Sequence, residues 1–371
     1  MTSPLCPYFG KCGGCTSQHL EYLLQLENKK KQVMQALQHE VQVFHAEEYF
    51  YRNRMDFVFL PQGLGLREKN HWQHTISIER CVISHEKINL LLQEVSLAFR
   101  QVDVFDVHKH RGTFRYAVIR TTAAGDSSIS FVLNEDSPRL QDAVEKIQQF
   151  AVKTSANNVM VAYVPQNTDV SISENAFVVK GTACLHETFL QKTFQYPIQG
   201  FFQNNPTLAE KMHAYCRSIV QKYETAKAHL LDLYGGVGTF GIINADLFQD
   251  VTIVESYPAA IESAKENIVQ NSVRNTTAVC LDAIQLKKLN FNLKNPLFVL
   301  TDPPRTGMHP KTIQHLSELQ PEVIIYVSCN VQQLARELPK LRAYQIKSAA
   351  LFDLFPQTPH SEVVVELVKE H

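Results

Sequence analysis

No stretch of this 371-residue chain is apolar for long enough to cross a membrane. Its start also lacks a charged segment followed by an apolar one, so no secretory leader is expected. A surplus of charge is missing as well: 36 Lys and Arg against 37 Asp and Glu give a net charge of −1. Any surface that binds nucleic acid must therefore be local. There is no internal repeat and no low-complexity tract. What remains is a globular chain expected in the cytoplasm, 44% apolar and 20% charged, long enough for about two to three domains.

The eight cysteines are unevenly spread. Cys6, Cys12 and Cys15 form C-x5-C-x2-C within the first fifteen residues, and Gly13-Gly14 allows a tight turn between the last two. A cytosolic chain of this size needs no disulfides, so the cluster reads as a metal site with Cys81 as fourth thiolate. Spacing alone leaves an iron–sulfur cluster and a structural zinc evenly matched.

A helix is expected over Gln18–Gln38, with Lys29, Lys30 and Lys31 on a solvated face. Short strands with two helical interruptions then extend to about Lys180, an α+β pattern. Within it, His108–Arg120 holds four permanent cations and two aromatics. It reads either as a phosphate-contacting, base-stacking surface or as a hairpin with a charged solvent face. At Phe201-Phe202-Gln203-Asn204-Asn205 the character changes; Thr207 and Glu210 predict a capping box for the helix that follows.

From His229 the strands alternate with helices. Gly236, Gly238 and Gly241 satisfy G-x-G-x-x-G after one strand, and Glu255 ends the next. That is the dinucleotide fingerprint, and a nicotinamide or flavin dehydrogenase must be weighed. S-adenosylmethionine asks for the same backbone approach and ribose carboxylate, with Asp232 suited to its ammonium group. The feature that separates them is a buried strand ending in Asp302-Pro303-Pro304-Arg305, followed by another, Val323–Val327, ending in Ser328-Cys329-Asn330. Ligands bind at such carboxyl ends. A thiol just before a helix is biased toward thiolate, so Cys329 reads as a nucleophile. The loop Phe355–Glu362 adds His360 and a carboxylate.

Taken together, these motifs resemble the RNA (uracil-5-)-methyltransferase family nearly end to end. The resemblance rests on the cysteine spacing, Phe-Phe-Gln-x-Asn, Asp-Leu-Tyr-Gly-Gly-Val-Gly, Asp-Pro-Pro-Arg, Ser-Cys-Asn and His-x-Glu in order. It implies a Rossmann-like, mostly parallel S-adenosylmethionine-dependent domain at 198–371. Before it comes an α+β iron–sulfur and RNA-binding domain at 1–197, whose helix 18–48 packs on the catalytic domain. Cys329 matches the family nucleophile and Glu362 its base. Gln203, Tyr234, Gly236, Gly238, Glu255 and Asp302 match the cofactor and substrate pocket. Cys6, Cys12, Cys15 and Cys81 match the ligands of a 4Fe–4S cluster. The family often begins with an extra RNA-binding barrel, for which there is no room before Cys6. The bacterial tRNA-specific branch lacks the cysteines. The implied protein is a monomer that contacts no membrane and methylates C5 of a uridine in large-subunit ribosomal RNA. The T-loop uridine of transfer RNA is the alternative, and a non-catalytic RNA-binding protein the bland one.

Overall fold

The computed structural model describes residues 2–289 and 295–370. They form two compact units interleaved along the chain. The first comprises Met1–Tyr22, Glu47–His186 and Pro197–Pro206; the second comprises Leu23–Ala46, Glu187–Tyr196 and Thr207–His371. The sequence reading places one boundary at 197/198, whereas here the division runs through the hairpin Cys184–Phe189/Lys192–Pro197.

In the first unit seven strands form one sheet, ordered His71–Ser77, Gly63–Glu68, Arg54–Leu60, Phe114–Thr121, Ser127–Asn134, Asn158–Val164, Ala176–Lys180. Alternation in Arg54–Leu60 sends Met55, Phe57 and Phe59 inward. There Phe59, Phe99, Phe114, Phe131 and Phe150 meet, mostly edge-on or tilted, with centroids such as 4.8 Å for Phe99–Phe131. Such pairs add roughly 0.5–1.5 kcal/mol each beyond area burial.

This sheet corrects one expectation. Phe114–Thr121 is a central strand buried along its whole length, so two of its cations face protein and not solvent. Arg115 lies over the Phe105 ring and donates to the carbonyls of Pro165 and Thr168. Arg120, 1% exposed, donates to the carbonyls of Ile198 and Gly200. Only His108–Arg111 of the expected surface remains exposed.

In the second unit eight strands form a mixed sheet: β1 (Gln42–Phe44), β2 (His229–Leu233), β3 (Asp250–Glu255), β4 (Thr276–Cys280), β5 (Leu297–Thr301), β6 (Val323–Ser328), β7 (Tyr344–Phe352) and β8 (Glu362–Lys369). Their order is β1-β7-β8-β6-β5-β2-β3-β4. All neighbours are parallel except β8, which runs antiparallel to both β6 and β7. Helices α1 (Tyr22–Leu37), α2 (Pro206–Val220), α3 (Thr239–Asn244), α4 (Pro258–Gln270), α5 (Pro310–Leu319) and α6 (Val331–Glu337) complete the α/β pattern. The chain leaves β2 on one side for β3 and returns on the other as β5. That reversal opens a crevice at the strands' carboxyl ends.

Two helix readings shift. α1 begins at Tyr22, and its Lys29 is buried in an ion pair with Asp353, Nζ–Oδ1 2.5 Å, where a solvated face is expected. α2 begins at Pro206, which places Thr207 inside the helix. Glu210 accepts from the Leu190 N–H at 2.8 Å, so no capping box forms.

Candidate active site

Register gathers the site. Leu233 is paired with Val254 on one side and with Thr301 on the other. The next residues, Tyr234, Glu255 and Asp302, therefore emerge side by side at the sheet's carboxyl end. Ser328 pairs with Val363 in the antiparallel β6–β8 ladder, so one step further sets Cys329 opposite Glu362.

The glycine turn is built for close backbone approach. Gly236 and Gly238 have φ of 55° and 88°, the left-handed region where a side chain is strained. A Cβ at Gly241 would come within 2.7 Å of the Ile253 side chain and 3.1 Å of Asp232 Oδ2. Asp232 is fully buried; Oδ2 accepts from the Gly241 N–H at 2.8 Å, and Oδ1 has no hydrogen-bond partner. Burial pushes its pKa up to about 7, the Gly241 N–H opposing and the Asp302 and Glu255 charges adding. An orphaned buried carboxylate oxygen suits a ligand bearing a cation. Glu255 accepts from the backbone N–H groups of Gly236, Ser256 and Tyr257, at 3.2, 2.7 and 2.8 Å, which orients it at the turn.

The Asp302 loop is seated from below. Fully buried Glu337 accepts from the Tyr326 hydroxyl at 2.6 Å, the Gln333 amide at 2.7 Å and the Met308 N–H at 3.3 Å. Gly307, at φ 79°, leaves the space that Glu337 occupies; a Cβ there would lie 1.9 Å from Oε1. Asn330 caps α6 and donates to the Arg305 carbonyl at 3.1 Å, which ties the loop to the residue after Cys329.

The thiol itself behaves differently from the sequence expectation. Burial, then the Glu362 and Asp302 carboxylates, push Cys329 up to about 11, against a smaller lowering by Arg305. α6 has only seven residues, too short to outweigh these effects. Glu362 is 3% exposed, and burial with Asp302 nearby raises it well above the carboxylate range; burial takes Asp302 to about 7. His360 is exposed and Glu362 buried, a contrast that sequence alone does not supply.

Other predicted residues fall in the first unit. Gln203 is half-buried there, its carbonyl accepting from the Asn53 amide at 3.3 Å. Phe202 is core at 5% exposure, whereas Phe201 is 75% exposed. Cys6, Cys12, Cys15 and Cys81 line one small cavity with Tyr8, Phe9, Met55 and Leu66. Gln18 holds the Cys6 N–H at 3.0 Å and Asn89 the Cys81 N–H at 2.8 Å. Burial and the other three sulfurs push Cys15 up to about 12, the strain a bound cation would relieve. As the side chains stand, no group of three or more His, Cys, Asp or Glu among the described residues is in metal-holding geometry.

Several contributors were not legible from spacing. Asn267, fully buried on α4, donates to the Val237 carbonyl in the glycine turn at 3.0 Å. Gln25 of α1 exchanges bonds with Gln357 at 3.0 and 3.2 Å, and Lys29 reaches Asp353 and the Phe355 carbonyl. These pin the loop that leads into Glu362. An Asn inside a helical pattern is the only signal for the first; nothing in sequence marks the second.

The sequence profile of the tRNA (uracil-5-)-methyltransferase family matches residues 21–370. A tRNA (uracil(54)-C(5))-methyltransferase from Pyrococcus abyssi is 33% identical, over 98% of this chain and 86% of that protein. An uncharacterized RNA methyltransferase from Thermotoga maritima is 31% identical, over 99% and 84%. The crystal structure of the Pyrococcus abyssi tRNA (uracil-54, C5)-methyltransferase with S-adenosyl-L-homocysteine superposes with TM-score 0.80 at 30% identity, over 96% of this chain and 86% of that one.

Proposed function

Because this chain belongs to the tRNA (uracil-5-)-methyltransferase family, we propose that it methylates C5 of a uridine in transfer RNA. It is an S-adenosylmethionine-dependent RNA (uracil-5-)-methyltransferase; the RNA class is the finer reading. The ribosomal substrate suggested by length and domain content gives way to transfer RNA, the class named for the Pyrococcus relatives. A cytoplasmic site of action and a monomeric enzyme accompany this reading.

The observation that carries the chemistry is Cys329 facing Glu362 beside Asp302. Uracil C5 is a poor nucleophile, and a bond from Cys329 Sγ to C6 makes it an enolate carbon. When bound, S-adenosylmethionine supplies a methyl group on a sulfonium. Burial favours the protonated forms of Cys329 and Glu362, with the neighbouring carboxylates adding, so a cation bound beside them would favour thiolate and carboxylate. The C5–methyl bond would form as the sulfur–methyl bond breaks, its electron pair staying on sulfur as a neutral thioether. Glu362 takes the C5 proton, the C5–C6 double bond returns, and the Cys329 thiolate leaves. A stacked base cannot be reached this way, so the uridine must be unpaired or flipped out. Tyr234, Gly236, Gly238, Glu255 and Asp302 are assigned to the pocket, where Asp232 would hold the cofactor's ammonium; Gln203 is assigned to the cofactor by the family resemblance alone.

The test uses unmodified transfer RNA and large-subunit ribosomal RNA, each incubated with enzyme and labelled cofactor, then mapped by mass spectrometry. 5-Methyluridine in transfer RNA is the expected result. Methylation confined to ribosomal RNA would overturn the assignment.

The four cysteines would hold a 4Fe–4S cluster, supported by their convergence on an apolar-walled cavity. The cluster would cross-link the opening loop to the turn at Cys81. Protein purified without oxygen should contain iron and sulfide; a colourless preparation with stoichiometric zinc would sink the idea.

A further inference from the structure

The chain has one tryptophan, and it is not in a core. Trp72 stands 58% exposed on His71–Ser77, an edge strand of the first unit's sheet. A large apolar ring in that position is unusual for a structural residue. Its neighbours His71, Gln73 and His74 are exposed as well, four in succession on both faces of the strand. The hairpin formed with Gly63–Glu68 therefore carries four exposed side chains in a row near its tip.

Two lysines and two histidines belong to the same end of the hairpin and the loop beside it. The opening loop pairs with the hairpin's other side: Cys12 bridges Glu68, and the Gly13 N–H donates to the Arg67 carbonyl at 3.1 Å. The Lys69 N–H donates to the Lys11 carbonyl at 2.7 Å, which brings both lysines to the tip. His71 and His74 stack at 5.7 Å with 18° between their planes. The carboxylate closest in this group, Glu68, is taken up by His74 at 3.2 Å. Exposed edges are normally covered or blunted by charge. An exposed aromatic ring on the same hairpin end as two lysines and two stacked imidazoles instead matches a base on the ring with phosphates on the cations.

We infer that the tip made by Lys11, Lys69, His71, Trp72 and His74 is a contact surface for an unpaired segment of the substrate RNA. The inference rests on RNA being the substrate. It lies outside every residue assigned to methyl transfer. The ring contributes stacking, which tolerates any base. The lysines contribute the salt-dependent part of affinity.

The single tryptophan makes the test direct, because all indole emission reports this position. Adding an unmodified transfer RNA transcript to the full chain should quench or shift that emission. Trp72→Ala should weaken RNA binding about tenfold, the loss of one stacked base, and Trp72→Phe should recover most of it. Lys11→Ala with Lys69→Ala should lower the slope of log affinity against log salt by about 1.4, near 0.7 per phosphate contact. Affinity for S-adenosylmethionine should be unchanged in all of them. If wild-type protein binds and methylates the transcript with unaltered emission, and Trp72→Ala binds equally well, the surface is overturned while the RNA reading stands. If wild-type protein neither binds nor methylates any RNA offered, that reading fails and the surface falls with it.

Discussion

Glu362→Gln should leave the enzyme covalently joined to its RNA with the methyl group already transferred. Addition of Cys329 and methylation precede the step that needs a base, so only elimination is blocked. Loss of a general base typically costs about 10²–10⁴-fold. Here the missing turnover should reappear as an adduct that survives denaturing electrophoresis and carries label from the methyl group. Cys329→Ala should form no adduct and transfer no methyl. Wild-type enzyme given 5-fluorouridine RNA should stall at the same point as Glu362→Gln, since fluorine cannot leave C5 as a proton does. Exposed His360, two residues away, is the rival base. Normal turnover by Glu362→Gln together with an adduct trapped by His360→Ala would reverse the assignment.

Lys29→Met should cost roughly 3–5 kcal/mol of stability, because it removes the ammonium that faces the buried Asp353 carboxylate. Lys29 is 4% and Asp353 0% exposed, so water cannot replace the lost ammonium. The double variant Lys29→Met/Asp353→Leu should recover most of that loss, since apolar side chains replace a buried pair well. Urea unfolding monitored by far-ultraviolet circular dichroism distinguishes the outcomes. A single variant within 1 kcal/mol of wild type would mean the pair contributes little. The pair also fixes the start of the loop that leads to Glu362, so adduct resolution in the double variant should be slower than in wild type.

The strands that bear the site were legible because parallel strands buried on both faces read as apolar runs. Val323–Val327 and Leu297–Leu300 announce themselves, and what stands at their ends follows. The same logic misplaces charge. Arg115 and Arg120 sit in an apolar stretch that becomes a central strand, and carbonyls from distant loops accept from them there. Lys29 shares a Lys-Lys-Lys run with solvated residues, and only Asp353, 324 positions away, draws it inside. Glu210 looked like a cap because Thr207 precedes it; Leu190 supplied a better donor from another segment. The thiolate bias expected at Cys329 is reversed for a related reason. A helix dipole is visible in sequence, but burial and then two carboxylates, from the loop after β5 and from β8, push the thiol the other way. Long-range partners are what local pattern omits.

The pairing of β1 with β7 sets a schedule for synthesis. Gln42 bonds in register with Ala350, so the first strand of the catalytic sheet is translated about 300 residues before its neighbour. At roughly 5–20 residues per second that interval is about 15–60 s. Throughout it α1 and β1 have no finished surface on which to bury Leu26, Val33, Leu37 and Val41. Gln25 and Lys29 likewise wait for residues 353–357. The sheet therefore closes last at the strand made first, and a chain stalled before Tyr344 carries an exposed amphipathic helix for chaperones or proteases to find.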